Sequence, residues 1–212
     1  MGVLADGQTI MFIGDSITDV GRRGQAFPLG DGYVRLFREL MIARHPDWEL
    51  NVINKGIGGN TVEDLWNRWD DDCLRLTPDV LSILIGINDL HRTLMSRDFP
   101  VPPARFAELY ESILSRAMEA CSPRTVLLTP FYISKDAHDG SARSKVLALL
   151  PEYIDVVKRM SDTFGTALVD LHALFQKHLA TREADDFCPE PVHPHRTGHL
   201  VIAEAVAGAL DG

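Results

Sequence analysis

The chain has 212 residues, 45% hydrophobic and 24% charged, the make-up of an ordinary soluble protein long enough to bury a sizeable core. A formal net charge of -9 argues against a nucleic-acid binder, which needs a basic face, and against an electrostatic anchor on anionic lipid. The three cysteines, Cys73, Cys121 and Cys188, form no Cys-x-x-Cys pair, so they supply neither a disulfide framework nor a thiolate metal cage.

Short apolar runs alternate with helical patterns along the chain. Thr9–Ile13 reads as a buried strand and Tyr33–Arg44 as an amphipathic helix. Leu50–Asn54 is a second strand. Thr61–Leu76 is a helix, opened by a capping box of Thr61 and Asp64. Val80–Ile85 is an almost wholly apolar third strand, followed by a helix over Pro103–Cys121 with proline at its start. Thr125–Thr129 is the fourth strand. Ser144–Phe164 is helical, with Pro151 as an interruption or a boundary between two helices. A short fifth strand, Ala167–Asp170, precedes helices over Leu171–Ala180 and Thr197–Leu210.

Strands apolar on both faces, separated by helices, predict a parallel sheet covered on both sides. The expected fold is a three-layer α/β/α sandwich of about five strands, formed by residues 1–212 as one domain. No stretch reaches 18 apolar residues, so no membrane span is expected. Met1–Gln8 lacks the basic and apolar regions of a signal peptide. With the sparse cysteines, this points to reduced thiols in a cytoplasmic protein.

Sites in open parallel sheets form beyond the C-terminal ends of the strands. Four polar segments follow strands there: Gly14-Asp15-Ser16, Gly56-Ile57-Gly58-Gly59-Asn60, Gly86-Ile87-Asn88-Asp89 and Pro130-Phe131-Tyr132. A fifth, Glu190-Pro191-Val192-His193-Pro194, precedes the last helix. The expected topology brings all five to one rim.

These segments contain the parts of nucleophilic acyl chemistry. A serine hydroxyl needs a base to accept its proton, and a histidine base needs a carboxylate to orient it. Ser16, His193 and Glu190 fill those roles, with Asp185 or Asp186 as alternative acids. Backbone N–H groups of Ser16 and Gly59 and the amide of Asn88 are candidate donors to the oxyanion. Asp15, next to the serine, reads as local support for its turn.

Gly14-Asp15-Ser16-Ile17-Thr18, the glycine before Asn60, Gly86-Ile87-Asn88-Asp89 and Val192-His193-Pro194 together resemble the four blocks of the SGNH (GDSL) hydrolases, in order and over nearly the whole chain. The resemblance implies a flavodoxin-like parallel sheet, with Ser16 as nucleophile, His193 as base, and Ser16, Gly59 and Asn88 as the oxyanion hole. Finer strings, Ile13–Asp19 with Asn54-Lys55-Gly56-Ile57 and Ile85–Asp89 with Thr129–Tyr132, resemble bacterial acetylxylan and xylo-oligosaccharide esterases of that family. They imply removal of acetyl groups from sugar hydroxyls. Two departures stand out: the acid position holds Glu190 where the family usually has aspartate, and Pro189 stands where related sugar esterases often carry tryptophan.

Other readings are weaker. A lysophospholipase or thioesterase of the same family, and a non-catalytic carbohydrate-binding protein, are the alternatives in function. Gly56–Gly59 lacks the third glycine of a dinucleotide fingerprint and the lysine of a P-loop. His193, His195 and His199 with Asp185, Asp186 and Glu190 have metal-ligand chemistry but no second ligand pair, so no metal and no cofactor are expected. His45, His91, His138, His172 and His178 read as surface or loop histidines. Arg22–Arg23 reads as solvated surface, and Trp48, Trp66 and Trp69 as packing. The expected partner is a small-molecule or oligosaccharide ester, with no nucleic acid or membrane; a homo-oligomer is left open.

Overall fold

A computed structural model describes residues 4–95, 99–136 and 138–211; of the segment read for a leader, residues 1–3 lie outside these. Five strands form one parallel sheet: β1 (Thr9–Gly14), β2 (Asn51–Gly56), β3 (Val80–Leu84), β4 (Arg124–Leu128) and β5 (Ala167–Val169). Their order is β2-β1-β3-β4-β5, the flavodoxin-like arrangement expected. Every residue of β3 is buried, and β1 is buried from Ile10 onward, as befits strands sandwiched between helices.

Among the described residues, eight α-helices flank the strands: α1 (Ser16–Asp19), α2 (Tyr33–Arg44), α3 (Val62–Asp72), α4 (Ile87–Leu94), α5 (Pro103–Ala120), α6 (Ala142–Phe164), α7 (Leu171–Leu179) and α8 (Arg196–Asp211). Helix α2 packs on α8 across one face of the sheet; α3, α5 and α6 pack side by side on the other. Phe12 of β1 meets Tyr33 and Phe37 of α2 edge-to-face, which anchors the first of these layers. Phe106 of α5 does the same with Tyr153 of α6 in the second. No described helix is long and apolar enough to cross a membrane.

Three elements differ from expectation. Helix α6 runs unbroken through Pro151, whose exposed position costs one backbone bond while Leu150, Tyr153 and Ile154 bury the opposite face. The capping box of Thr61 and Asp64 is present, but α3 ends at Asp72 and a 3₁₀ turn, Leu74–Leu76, completes the span. Helix α4 was not anticipated. Its Gly86 N-cap has φ +129°, and Ile87, Leu90 and Leu94 recur at helical spacing behind it.

Candidate active site

The strand order reverses between β1 and its neighbours β2 and β3, and a crevice forms there at the C-terminal edge. Ser16 is the first residue of α1, immediately after β1, where the buried Asp15 caps the helix by accepting the Ile17 N–H at 2.9 Å. The five polar segments meet at this edge. The Ile57 N–H donates to the Gly14 carbonyl at 3.0 Å, the Asn88 amide to the Asn60 carbonyl at 3.0 Å, and the Ile133 N–H to the Pro191 carbonyl at 2.9 Å.

Ser16 Oγ lies 2.8 Å from His193 Nε2, and His193 Nδ1 lies 2.5 Å from Glu190 Oε1. A carboxylate only accepts hydrogen bonds, so Nδ1 carries the ring proton and Nε2 accepts from the serine hydroxyl. Glu190 Oε1 also accepts the His193 N–H at 2.7 Å, and Oε2 accepts the Val192 N–H at 3.0 Å. Partial burial would raise the Glu190 pKa. The two N–H donors and His193 outweigh it and hold the carboxyl below its ordinary value, so it is a carboxylate at neutral pH. Asp185 and Asp186 lie in a separate 3₁₀ turn, where the Asp185 carbonyl accepts from His195 Nε2 at 2.9 Å. The structure therefore puts Glu190, and neither aspartate, on His193.

Among the described residues, neither the Ser16 nor the Gly59 backbone N–H has an acceptor. Gly59 adopts φ +80°, a left-handed conformation that favours glycine, and a Cβ built on its neighbour Gly58 would stand 3.8 Å from Ser16 Cβ. Asn88 sits in the first turn of α4. Its amide nitrogen has two hydrogens, and spending one on Asn60 orients the group while leaving the other open. The arrangement presents a polarised hydroxyl, with the Ser16 and Gly59 N–H groups and one Asn88 hydrogen uncommitted among the described residues. His193 and Glu190 side chains are 57% and 45% exposed, so the centre is open to a bulky reactant.

Residues that sequence reasoning gave no role hold this edge in place. Asp19 Oδ2 accepts the Gly58 N–H at 3.0 Å, and Asn54 donates to the Thr18 and Leu29 carbonyls while accepting the Gly56 N–H. Both lie inside the strings quoted for the esterase resemblance. Arg68 donates to the Lys55 and Gly14 carbonyls, to Asn60 and to Asp72. Arg22 is not solvated surface: it is half-buried, and its Nε donates to the Gly56 carbonyl at 2.5 Å. His172 is likewise half-buried, with Nδ1 accepting the Tyr132 N–H at 3.4 Å, and burial lowers its pKa. The histidines near the C-terminus diverge. His193 faces Ser16, His195 the Asp185 carbonyl, and His199 is buried against Tyr33, with ring centroids 6.4 Å apart.

A flavodoxin-like α/β/α sheet with a serine, histidine and carboxylate at its switch point defines a serine hydrolase outside the Gly-x-Ser-x-Gly elbow class. The chain belongs to the GDSL-like lipase/acylhydrolase family, which matches residues 12–201, in accord with the resemblance carried by its motifs. It is 36% identical over 212 residues to an acetylxylan esterase of Geobacillus stearothermophilus, covering 95% of this chain and 93% of that one. Among solved structures it resembles LAE5, an α/β hydrolase from the metagenome of Lake Arreo, with TM-score 0.88 and 32% identity over 98% of this chain and 96% of that one. It also resembles Axe2, an acetylxylan esterase of G. stearothermophilus, with TM-score 0.85 and 32% identity over 98% and 96% of the two chains. Alanine variants of Axe2 at a serine, an aspartate and a histidine are described as catalytic mutants. The chain is thus a serine carboxylic-ester hydrolase by family.

Proposed function

We propose that this protein removes acetyl groups from xylo-oligosaccharides through an acyl-enzyme on Ser16. The observation that carries the reading is the unbroken relay from Glu190 through His193 to Ser16, with the Ser16 and Gly59 N–H groups lacking acceptors among the described residues. The substrate class draws support from the likeness, in sequence and in structure, to acetylxylan esterase of G. stearothermophilus over nearly the full length of the chain.

His193 Nε2 takes the Ser16 proton as Oγ bonds to the acetyl carbon. The carbonyl electrons move onto oxygen, where the Ser16 and Gly59 N–H groups and the second Asn88 hydrogen receive the charge. Collapse breaks the bond to the sugar oxygen, which takes its proton from His193. Water then repeats the sequence on the acetyl-enzyme, with His193 as base, and releases acetate. Glu190 holds the Nδ1–H tautomer throughout and stabilises the imidazolium. Asp15 acts below the nucleophile, holding its turn.

One continuous core supports reading the chain as a single domain. Unpaired Cys73, Cys121 and Cys188 support a reducing compartment, the cytoplasm. A net charge of -9 supports a neutral sugar ester over a polyanionic partner.

Ser16→Ala tests the proposal. It is expected to abolish labelling by a fluorophosphonate and turnover of both p-nitrophenyl acetate and acetylated xylobiose. Wild-type turnover in that variant refutes the mechanism. Wild-type preference for octanoyl over acetyl esters refutes the substrate class in favour of lipid or thioester hydrolysis.

A further inference from the structure

A cavity of about 250 Å³ lies between the second half of α4 and the start of α6. His91 and Leu94 of α4, Met95 just beyond its end, Val146 of α6 and Tyr132 from the loop after β4 contribute to its wall. Three observations tie it to the Ser16 centre. His91 lies three residues after Asn88, so both share a face of α4. The bond from the Ile133 N–H to the Pro191 carbonyl fastens the Tyr132 loop to the segment bearing Glu190 and His193. Burial raises the Tyr132 pKa, and the opposing charges of Arg143 and Glu190 both reach its hydroxyl.

Tyr132 is only 7% exposed, and its hydroxyl lines the cavity without a hydrogen-bond partner among the described residues. Its ring meets His91 edge-to-face, with centroids 6.4 Å apart. The cavity therefore combines aromatic and aliphatic walls with an uncommitted hydroxyl. That is the chemistry of a sugar ring, which has an apolar C–H face and polar edges. Its volume falls below the roughly 300–1,000 Å³ of drug-sized pockets, which suits one ring rather than a long chain. His193 delivers its proton to the departing alcohol, so the body of that alcohol extends on the His193 side, and the Tyr132 loop is bonded to the segment that carries His193. The residue before the acid, Pro189, is exposed and offers no aromatic face there.

We propose that the cavity between α4 and α6 is the leaving-group subsite, seating one pyranose ring of the acetylated sugar against Tyr132 and His91. The proposal rests on the esterase reading above and names where its alcohol binds. Tyr132 is the specificity-determining contact.

The test separates binding from chemistry. Xylobiose, which lacks an acetyl group, is titrated into Ser16→Ala by calorimetry, so affinity is read without turnover. Adding Tyr132→Ala is expected to weaken it about tenfold, the scale of losing a buried aromatic anchor. Ala142→Trp, which fills the cavity from its exposed rim, is expected to do the same with Tyr132 intact. In the active enzyme both changes should raise KM for acetylated xylobiose more than they lower kcat. They should also lower its kcat/KM relative to that for p-nitrophenyl acetate by about tenfold. Tyr132→Phe keeps the ring and should fall between the wild type and Tyr132→Ala. The proposal is overturned if xylobiose affinity is absent or unmoved, if both esters lose activity equally, or if p-nitrophenyl octanoate suffers most, which would make the cavity an acyl channel. None of these results touches the esterase reading, which stands or falls on Ser16→Ala with p-nitrophenyl acetate.

Discussion

Asp89 gives the sharpest test of the electrostatics beneath the active site. Its side chain is fully buried at the start of α4; Oδ1 accepts the Val62 N–H at 3.0 Å, and Oδ2 has no partner among the described residues. Burial pushes its pKa up to about 8 against the pull of that N–H, and the nearby charge of Asp15 adds to the rise. An unfolded aspartate titrates near about 3.9. Between pH 5 and 7 the unfolded chain therefore carries a carboxylate where the folded chain carries a carboxylic acid, and folding takes up one proton. The stability this group contributes is fully present below about pH 4 and is lost as pH rises toward 8. The slope is about 1.4 kcal/mol per pH unit, or roughly 2.7 kcal/mol from pH 5 to 7. Asp89→Asn keeps an oxygen for the Val62 N–H but does not titrate. Its stability relative to wild type should climb by that amount across the same range. Urea unfolding of both proteins at pH 5, 6 and 7 measures it, and groups that titrate alike in both cancel. A pH-independent difference would show that Asp89 is ionised in the fold and refute the reasoning.

Asn88→Ala should lower kcat by about 10²–10³-fold on p-nitrophenyl acetate, the scale of one lost oxyanion donor; an unchanged rate removes Asn88 from that role. Glu190→Gln should lower kcat by up to about 10⁴-fold, because an amide in place of the carboxylate no longer enforces the Nδ1–H tautomer. Full activity there would move the acid's role elsewhere. Gly14→Ala should unfold at markedly lower urea than wild type, since its Cβ would strike the Leu84 carbonyl and stand 2.6 Å from Thr18 Oγ1. Burial lowers the pKa of His199 to about 4, so its contribution to stability is present above pH 6.5 and lost as pH falls toward 4. His199→Phe should flatten that acid limb, read as midpoint against pH; an unaltered limb would show that His199 is protonated in the fold.

The strands were legible because parallel strands buried on both faces need continuous apolar runs, and Val80–Leu84 or Ile10–Ile13 admit little else. Ser16 was legible because it closes a short polar segment at a strand end, and Glu190 and His193 because they share one short segment before the last helix. What escaped depended on distance. The partner of Arg22 is a backbone carbonyl 34 residues away, and carbonyls leave no mark in a sequence. Helix α4 escaped because Gly86-Ile87-Asn88-Asp89 also reads as a turn, and only Leu90 and Leu94 beyond it betray the helical period. The cavity beside Tyr132 escaped entirely, since it exists only where α4, α6 and the loop after β4 converge.

Glu190 shows how a longer acid is accommodated at this site. Its extra methylene relative to aspartate adds reach and rotational freedom, and an acid that orients a base must lose that freedom. Three hydrogen bonds remove it here. Oε2 takes the Val192 N–H, while Oε1 takes both the His193 N–H and Nδ1, so the carboxylate grips the backbone of the residue whose ring it orients. Val192 and Pro194 on either side of His193 are buried, and the Pro191 carbonyl is fixed by the Ile133 N–H. The imidazole is thus aimed by a closed turn even though its own side chain is more than half exposed. That rigidity lets the centre stay open to a sugar without losing the 2.8 Å contact between His193 and Ser16 on which the chemistry depends.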